Sequence, residues 1–324
     1  TRGWFYTLMA IGTLLFDRSA YETVVCLGHI LAEDGRKMSK HLDNVLEPLP
    51  LMEEHGADAL RWFMLCTGSP WSARRVGHGP LREIVRKVLL TYWNTAAFFT
   101  RYAALVDWVP ADADPPEQRP VLDRWVLAQL HRLAAEVDAR LEDYDTAGAG
   151  RLLAEFVDDL SNWYVRRSRP RFWGGDRNAL CTLHHCLDVL TRLLAPFVPF
   201  ITERVWQDAV RPGSPQAPES VHLASWPCAD PGLVDEQLLS DVDVERRLAE
   251  AGRAARRNSG IKVRQPLARA LVSAALPPDL AADLADELNV RRIEPLEAAG
   301  EVLDVSVKPN FRALGKRFGG RTQE

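Results

Sequence analysis

Val121-Leu-Asp-Arg-Trp-Val126-Leu-Ala-Gln-Leu130-His-Arg-Leu133-Ala-Ala-Glu-Val137-Asp-Ala-Arg-Leu141 is the stretch that decides the fold. Its apolar residues Val126, Leu130, Leu133, Val137 and Leu141 are spaced 4, 3, 4 and 4 apart. That spacing puts one apolar stripe along a helix of about 3.6 residues per turn. Leu153, Phe156, Val157, Leu160 and Tyr164 repeat the pattern, and so do Leu183, Leu187, Leu190 and Leu194. Leu81 to Leu105 carries few breakers. Pro196 and Pro199 must end or kink the third helix before a further helix over Ile201–Val210. The connections are short or proline-rich, as in Pro110–Pro120 and Pro212–Pro218. Amphipathic helices joined this way predict an antiparallel bundle whose aromatic residues serve mainly as core.

The texture differs on either side. Residues 1–70 mix short apolar stretches with turns: Val24-Val25-Cys26-Leu27 is a β-type run, Asp34-Gly35 is a turn signal, and Gly56–Met64 is a helix. Leu238–Asn258 reads as a helix that is basic toward its end. Arg269–Ala274 then reads as a strand, Asp279–Leu288 as a helix and Val302–Lys308 as an alternating strand, a β-α-β unit. The fold class expected is mostly α, in three domains: 1–80, 81–237 and 238–324.

The composition is that of an ordinary globular chain: 324 residues, 47% hydrophobic, 26% charged, net charge −4. No apolar run approaches the ~20 residues that a membrane-spanning helix needs, so no membrane partner is expected. The first residues, Thr1-Arg2-Gly3-Trp4-Phe5, carry neither Met nor a signal-peptide core, and the chain reads as a fragment of a longer protein. Five cysteines argue for a reducing, cytoplasmic setting rather than a disulfide scaffold. Their one dense cluster is Cys181-Thr-Leu-His184-His185-Cys186. Cys181 and His185 share a helix face, which is two zinc ligands at best. No C-x₂-C pair exists, so buried packing is the reading and no structural zinc is expected.

The small net charge hides local asymmetry. Residues 161–177 hold Arg166, Arg167, Arg169, Arg171 and Arg177 against Asp176 alone, and residues 245–264 hold seven basic residues against Glu245 and Glu250. Basic patches on a mildly acidic chain suggest a polyanionic partner, although a solvated helix face would look the same.

The stretch that carries chemistry is Gly28-His29-Ile30-Leu31-Ala32-Glu33-Asp34-Gly35-Arg36-Lys37-Met38-Ser39-Lys40-His41. A tight turn presents Arg36, Lys37 and Lys40, with the small Ser39 between the lysines. Ammonium groups on flexible stems can follow phosphate oxygens as charge develops on them, so the loop suits a triphosphate. Spacing alone leaves an exposed hairpin tip open as the alternative.

Lys37-Met38-Ser39-Lys40 resembles the KMSKS signature of class I aminoacyl-tRNA synthetases, with His41 at the final position. The context strengthens the match. A strand-like segment and turn precede it, and Asn44-Val45 and the Gly56-Ala-Asp-Ala-Leu-Arg61 helix follow, an order typical of the Ile/Val/Leu/Met subclass. Thr1–Tyr6, Ser161–Arg169 and Ser259–Leu267 resemble segments of its isoleucine-specific members, of the eukaryote-like bacterial type that lacks a C-terminal Cys₄ zinc module.

The resemblance implies that residues 1–80 end a Rossmann-type catalytic domain, that 81–237 form an anticodon-binding bundle, and that 238–324 open a small α/β junction domain. It implies ATP, with Mg2+, bound at Lys37, Met38, Ser39 and Lys40. Lys40 and Lys37 would be the catalytic cations that stabilise the pyrophosphate leaving group. Trp4 would line the isoleucine side-chain pocket. Arg166, Arg167, Arg169 and Arg171 would meet tRNA(Ile) phosphates, with Trp173 placed to stack a base and Trp163 in the core. No His-Ile-Gly-His-type motif or editing domain occurs, so the chain alone should not activate amino acids. A valyl or leucyl enzyme, or a tRNA-binding module without catalysis, stays open as an alternative.

Overall fold

The computed structural model describes residues 3–42, 44–110, 113–214 and 216–296, and of Lys40 only the backbone. The chain divides into two compact units, Thr1–Asp235 and Glu236–Glu324. Among the described residues it is mostly helical, and no helix is long and apolar enough to cross a membrane.

In the first unit, α1 (Trp4–Phe16) is followed by the short strand β1 (Ile30–Leu31), then α2 (Pro48–His55) and α3 (Ala57–Cys66). Strand β2 (Arg74–Arg75) pairs in parallel with β1, placing Ile30 opposite Arg74 and Leu31 opposite Arg75. Val24–Leu27, expected as a strand, forms none. Val24, Val25 and Leu27 are exposed, and without a partner strand their β-propensity has no ladder to join. The sheet starts only at Ile30.

Helices α4 (His78–Ile84) and α5 (Leu90–Ala103) run on through a π-helical turn at Val85–Leu89. Then come α6 (Val121–Glu142), α7 (Thr146–Asp158), α8 (Arg166–Trp173), α9 (Arg177–Leu194) and α10 (Pro199–Val205). The stripes read from the sequence form the core. Val126, Leu130, Val137, Leu153, Leu183, Leu187 and Leu190 are all fully buried. Each such side chain contributes roughly 1.5–3 kcal/mol by leaving water. Asp145 caps α7 by accepting from Gly148 N (2.8 Å), and Asp176 caps α9 by accepting from Ala179 N (3.1 Å). Gly150 lets α7 approach α3, since a Cβ there would lie 2.4 Å from the Cys66 side chain.

The Gly-Ala-Asp-Ala-Leu-Arg helix has a packing role. Asp58 on α3 is buried and accepts from Phe200 N (3.3 Å) and Ile201 N (2.7 Å), satisfying the first turn of α10. Burial raises its pKa, and the two backbone hydrogen bonds pull the other way. One turn on, Arg61 donates to the carbonyls of Pro196 and Phe197, closing the break that the prolines make.

The second unit holds α11 (Glu236–Asn258), β3 (Ala270–Val272), α12 (Pro278–Leu288) and β4 (Ile293–Pro295). The strands are parallel, with Ala270 opposite Ile293 and Val272 opposite Pro295. The β-α-β order is as expected, but the partner strand is Ile293–Pro295; Val302–Lys308 lies outside the described residues. Buried Arg256 ties the unit together by donating to the carbonyls of Lys262, Gln265, Leu288 and Asn289.

Candidate nucleotide loop and nucleic-acid interface

Strand β1 delivers the chain to the turn Ala32–Gly35, where Gly35 adopts a φ of 82° that a side chain would strain. A Cβ there would also strike the Arg75 guanidinium, 2.8 Å away. Leu31 and Lys37 close the turn with an antiparallel bridge. Asp34 accepts from Arg36 N (2.9 Å) and Arg36 Nε (2.6 Å). Those hydrogen bonds hold the Asp34 carboxyl below its ordinary pKa. Of the three cations read from the sequence, Arg36 is thus engaged by its neighbour, and Lys37 stands exposed.

Asn44 braces the lysine segment. Its Oδ1 accepts from Ser39 N (2.8 Å) and its Nδ2 donates to Lys37 O (3.3 Å). The Ser39 hydroxyl accepts from His41 N (3.3 Å), at the start of a 3-10 turn over Lys40–Leu42. Met38 and Ser39 are half-buried, so they anchor the loop while Lys37 projects. The motif does not announce Asn44 as a brace, although an Asn five residues after a Ser in a turn is the kind of residue that closes one. Trp4 sits on the first turn of α1, 66% exposed, with its ring edge-to-face on Phe5.

The arginine run lies on α8, after a π-helical turn at Asp159–Val165. The wider turn buries Trp163, Tyr164 and Val165 in succession and resets the helix frame. Ser168 and Phe172 then face inward. Arg166, Arg169 and Trp173, at i, i+3 and i+7, share the outer face, and all three are exposed.

The structure separates the other two arginines from these. Arg171 reaches the fully buried Asp123 through two hydrogen bonds of 2.6 and 2.8 Å, and Asp176 through a third of 2.8 Å. Burial alone would lower its pKa; the hydrogen bonds it donates to the two carboxylates outweigh that and raise it. Asp123 also accepts from the Tyr164 hydroxyl (2.8 Å). Arg167 is half-buried, with its guanidinium 4.3 Å from the centre of the Trp163 ring. The run is therefore two outward cations, Arg171 that holds α8 to α6, and Arg167 that packs on Trp163 of its own helical run.

The Cys/His cluster on α9 is taken up by packing. Trp108 Nε1 donates to Cys181 Sγ (3.1 Å), His184 Nε2 is 3.0 Å from Val210 O, and His185 Nε2 is 3.3 Å from His131 Nε2. Burial, with the nearby His131 second, pushes the His185 pKa down to about 4, and burial drives the Cys186 thiol up.

Comparison with known proteins identifies both regions. The family of class I tRNA synthetases (I, L, M and V) matches residues 1–75, and the anticodon-binding domain of tRNA ligase matches residues 123–272. The isoleucine–tRNA ligase of Streptomyces coelicolor is 61% identical over 100% of this chain and 32% of its own length. That of Thermobifida fusca is 62% identical over 99% and 31%, and that of Thermus thermophilus 44% identical over 98% and 32%. The chain spans about a third of the length of these relatives. The solved LeuRS of Agrobacterium radiobacter K84, in a ternary complex with tRNA and LeuAMS, superposes with a TM-score of 0.52 at 22% identity, covering 71% of this chain and 27% of that one. That likeness concerns the fold. The braced Lys37–Lys40 loop thus lies in a segment, residues 1–75, that matches the class I tRNA synthetases of the isoleucine, leucine, methionine and valine group, and α8 lies in a helical segment, residues 123–272, that matches the anticodon-binding domain of tRNA ligases.

Proposed function

We propose that the chain is the part of an isoleucine–tRNA ligase that carries the ATP-facing lysine loop and the tRNA-reading helices. The whole protein would activate isoleucine with ATP and transfer it to tRNA(Ile). The observation that carries this reading is an overall identity of 61–62% to isoleucine–tRNA ligases in matches that cover essentially the whole chain. Residues 1–80 would close the catalytic domain, 81–237 would hold the anticodon arm, and 238–324 would begin the junction beyond it.

The loop's chemistry follows from charge. As the α-phosphate is attacked, negative charge builds on the departing pyrophosphate. Lys37 and Lys40 would meet it with mobile ammonium groups, while Asn44 keeps the backbone between them in place. Mg2+ would arrive on the phosphates of ATP, since it prefers oxygen ligands and the loop supplies cations. Its Asp34 is already taken up by Arg36. Trp4 would form one apolar wall for the isoleucine side chain. On α8, Arg166 and Arg169 would contact tRNA phosphates and Trp173 would stack an unpaired base. Arg171 acts behind that surface, holding α8 on the bundle through Asp123.

The test is isoleucine-dependent ATP–pyrophosphate exchange by the whole protein. Lys40→Ala should lower the rate by about 10²–10³ with little change in isoleucine binding, because its charge is needed in the transition state. An unchanged exchange rate would refute the assignment.

A further inference from the structure

Outside the loop and the α8 face, one cluster among the described residues brings metal-binding groups together. Glu54 and His55 end helix α2, and His78 opens helix α4, so 23 residues of chain separate the two imidazoles. His55 Nε2 lies 2.9 Å from His78 Nδ1. Glu54 Oε1 lies 3.4 Å from His55 Nε2, and Glu54 Oε2 lies 3.1 Å from His78 Nδ1. Two ring nitrogens and the two oxygens of one carboxylate therefore face one another in a single cluster.

The spacing is that of a coordination polyhedron. Zinc bonds of about 2.0–2.1 Å to nitrogen and oxygen in a tetrahedron place neighbouring donor atoms roughly 3.3 Å apart. The two ring nitrogens lie 2.9 Å apart, and each has one oxygen of the carboxylate near that spacing, Oε1 at 3.4 Å from His55 and Oε2 at 3.1 Å from His78. Protons satisfy the arrangement poorly. Two neutral imidazoles bring one N–H each, and both nitrogens that face the cluster compete for the same carboxylate and for each other. A single divalent cation satisfies all three donors together.

We propose that Glu54, His55 and His78 form a site for zinc or a similar first-row divalent ion. Imidazole nitrogen with one carboxylate suits zinc and its neighbours, and disfavours Mg2+ and Ca2+, which take all-oxygen cages. The His55 side chain is 4% exposed, while those of His78 and Glu54 are 38% and 54% exposed. His55 is thus the inner anchor, the other two form an open mouth, and water takes the fourth corner. No Cys spacing announces the site, because its ligands are an adjacent pair and a distant His brought together by the fold.

Position gives the ion a structural role. It staples the C-terminal end of α2 to the N-terminus of α4. The Glu33 side chain, from the turn that leads to the lysine loop, packs on that same N-terminus: a Cβ on Gly77 would lie 2.7 Å from its carboxylate carbon. The ion would stiffen the platform on which the loop rests. This inference stands apart from the tRNA-ligase reading, since it rests only on three side chains.

The test uses the full chain, stripped of metal with a chelator and then titrated with ZnCl2 by calorimetry. Cobalt(II) serves as a parallel probe, because its visible absorption reports tetrahedral coordination. Wild type should take up one zinc per chain, gain thermal stability with it and give the tetrahedral cobalt spectrum. His78→Gln should lose the uptake, the gain and the spectrum while keeping its helical circular dichroism, since His78 lies at the open side. Glu54→Gln should bind more weakly, by roughly tenfold or more, since even loss of a group that only supports a ligand brings that much. Absence of uptake by wild type, or uptake that survives His78→Gln, would overturn the proposal.

Discussion

The guanidinium of Arg171 grips the buried carboxylate of Asp123 through two parallel hydrogen bonds of 2.6 and 2.8 Å, across 48 residues of chain. This pair fastens α8 to the start of α6, and it sets Arg171 apart from the outward members of the arginine run. Removing one partner would leave a buried charge without compensation, which costs about 3–5 kcal/mol. Arg171→Ala should therefore lower the melting temperature and the urea midpoint sharply. Arg169→Ala, on the outer face, should leave both within experimental scatter. Urea unfolding of the two variants side by side checks the division.

Asn44 predicts how the lysine loop is held. Its amide bonds to Ser39 N and Lys37 O, and two such hydrogen bonds are together worth about 1–3 kcal/mol. Asn44→Ala should free the loop, and trypsin should cut after Arg36, Lys37 or Lys40 roughly ten times faster, as a loss of about 1.4 kcal/mol would give. Asn44→Asp keeps the acceptor for Ser39 N and should cut at an intermediate rate. Mapping the first tryptic fragments by mass spectrometry decides it.

His185 predicts a pH dependence. Its folded pKa is pushed down to about 4, chiefly by burial, against an unfolded value near 6.5. Between those values the unfolded chain binds a proton that the folded chain does not. The contribution is fully present above pH 6.5 and is lost as pH falls toward 4, at up to about 1.4 kcal/mol per pH unit. His131 and His184, both lowered chiefly by burial, steepen the fall. Denaturant midpoints across that range should drop with acid, and His185→Gln should flatten the curve.

The bundle is legible in the sequence because its helices repeat apolar residues at 3.6-residue spacing, a signal carried within each segment. Val126, Leu130 and Val137, or Leu183, Leu187 and Leu190, need no partner to be recognised. What escapes depends on partners far along the chain. Val24–Leu27 has the composition of a strand but no ladder to join, and the strand that pairs with β3 is the short Ile293–Pro295. Arg171 looks like any other member of its run until Asp123 is placed beside it. Asp58 reveals itself as the cap of α10 only when residues 142 and 143 positions later arrive at its carboxylate. The Lys37–Lys40 motif is readable from its own residues, whereas the bracing role of Asn44 emerges only from the folded turn.

Filter binding of tRNA(Ile) to the chain over a salt series decides whether the outer face of α8 reads tRNA. Each Arg-to-phosphate pair releases condensed counterions as it forms, so affinity should fall steeply with salt. Changing Arg166 and Arg169 together to Ala should weaken binding while lowering the melting temperature far less than Arg171→Ala does. It should also flatten the slope of log K against log salt by about one unit for each phosphate that is no longer neutralised. Trp173→Ala should cost about 1–3 kcal/mol with little change in slope. If the double arginine variant binds tRNA(Ile) with wild-type affinity and slope, the outer face of α8 is not the tRNA surface.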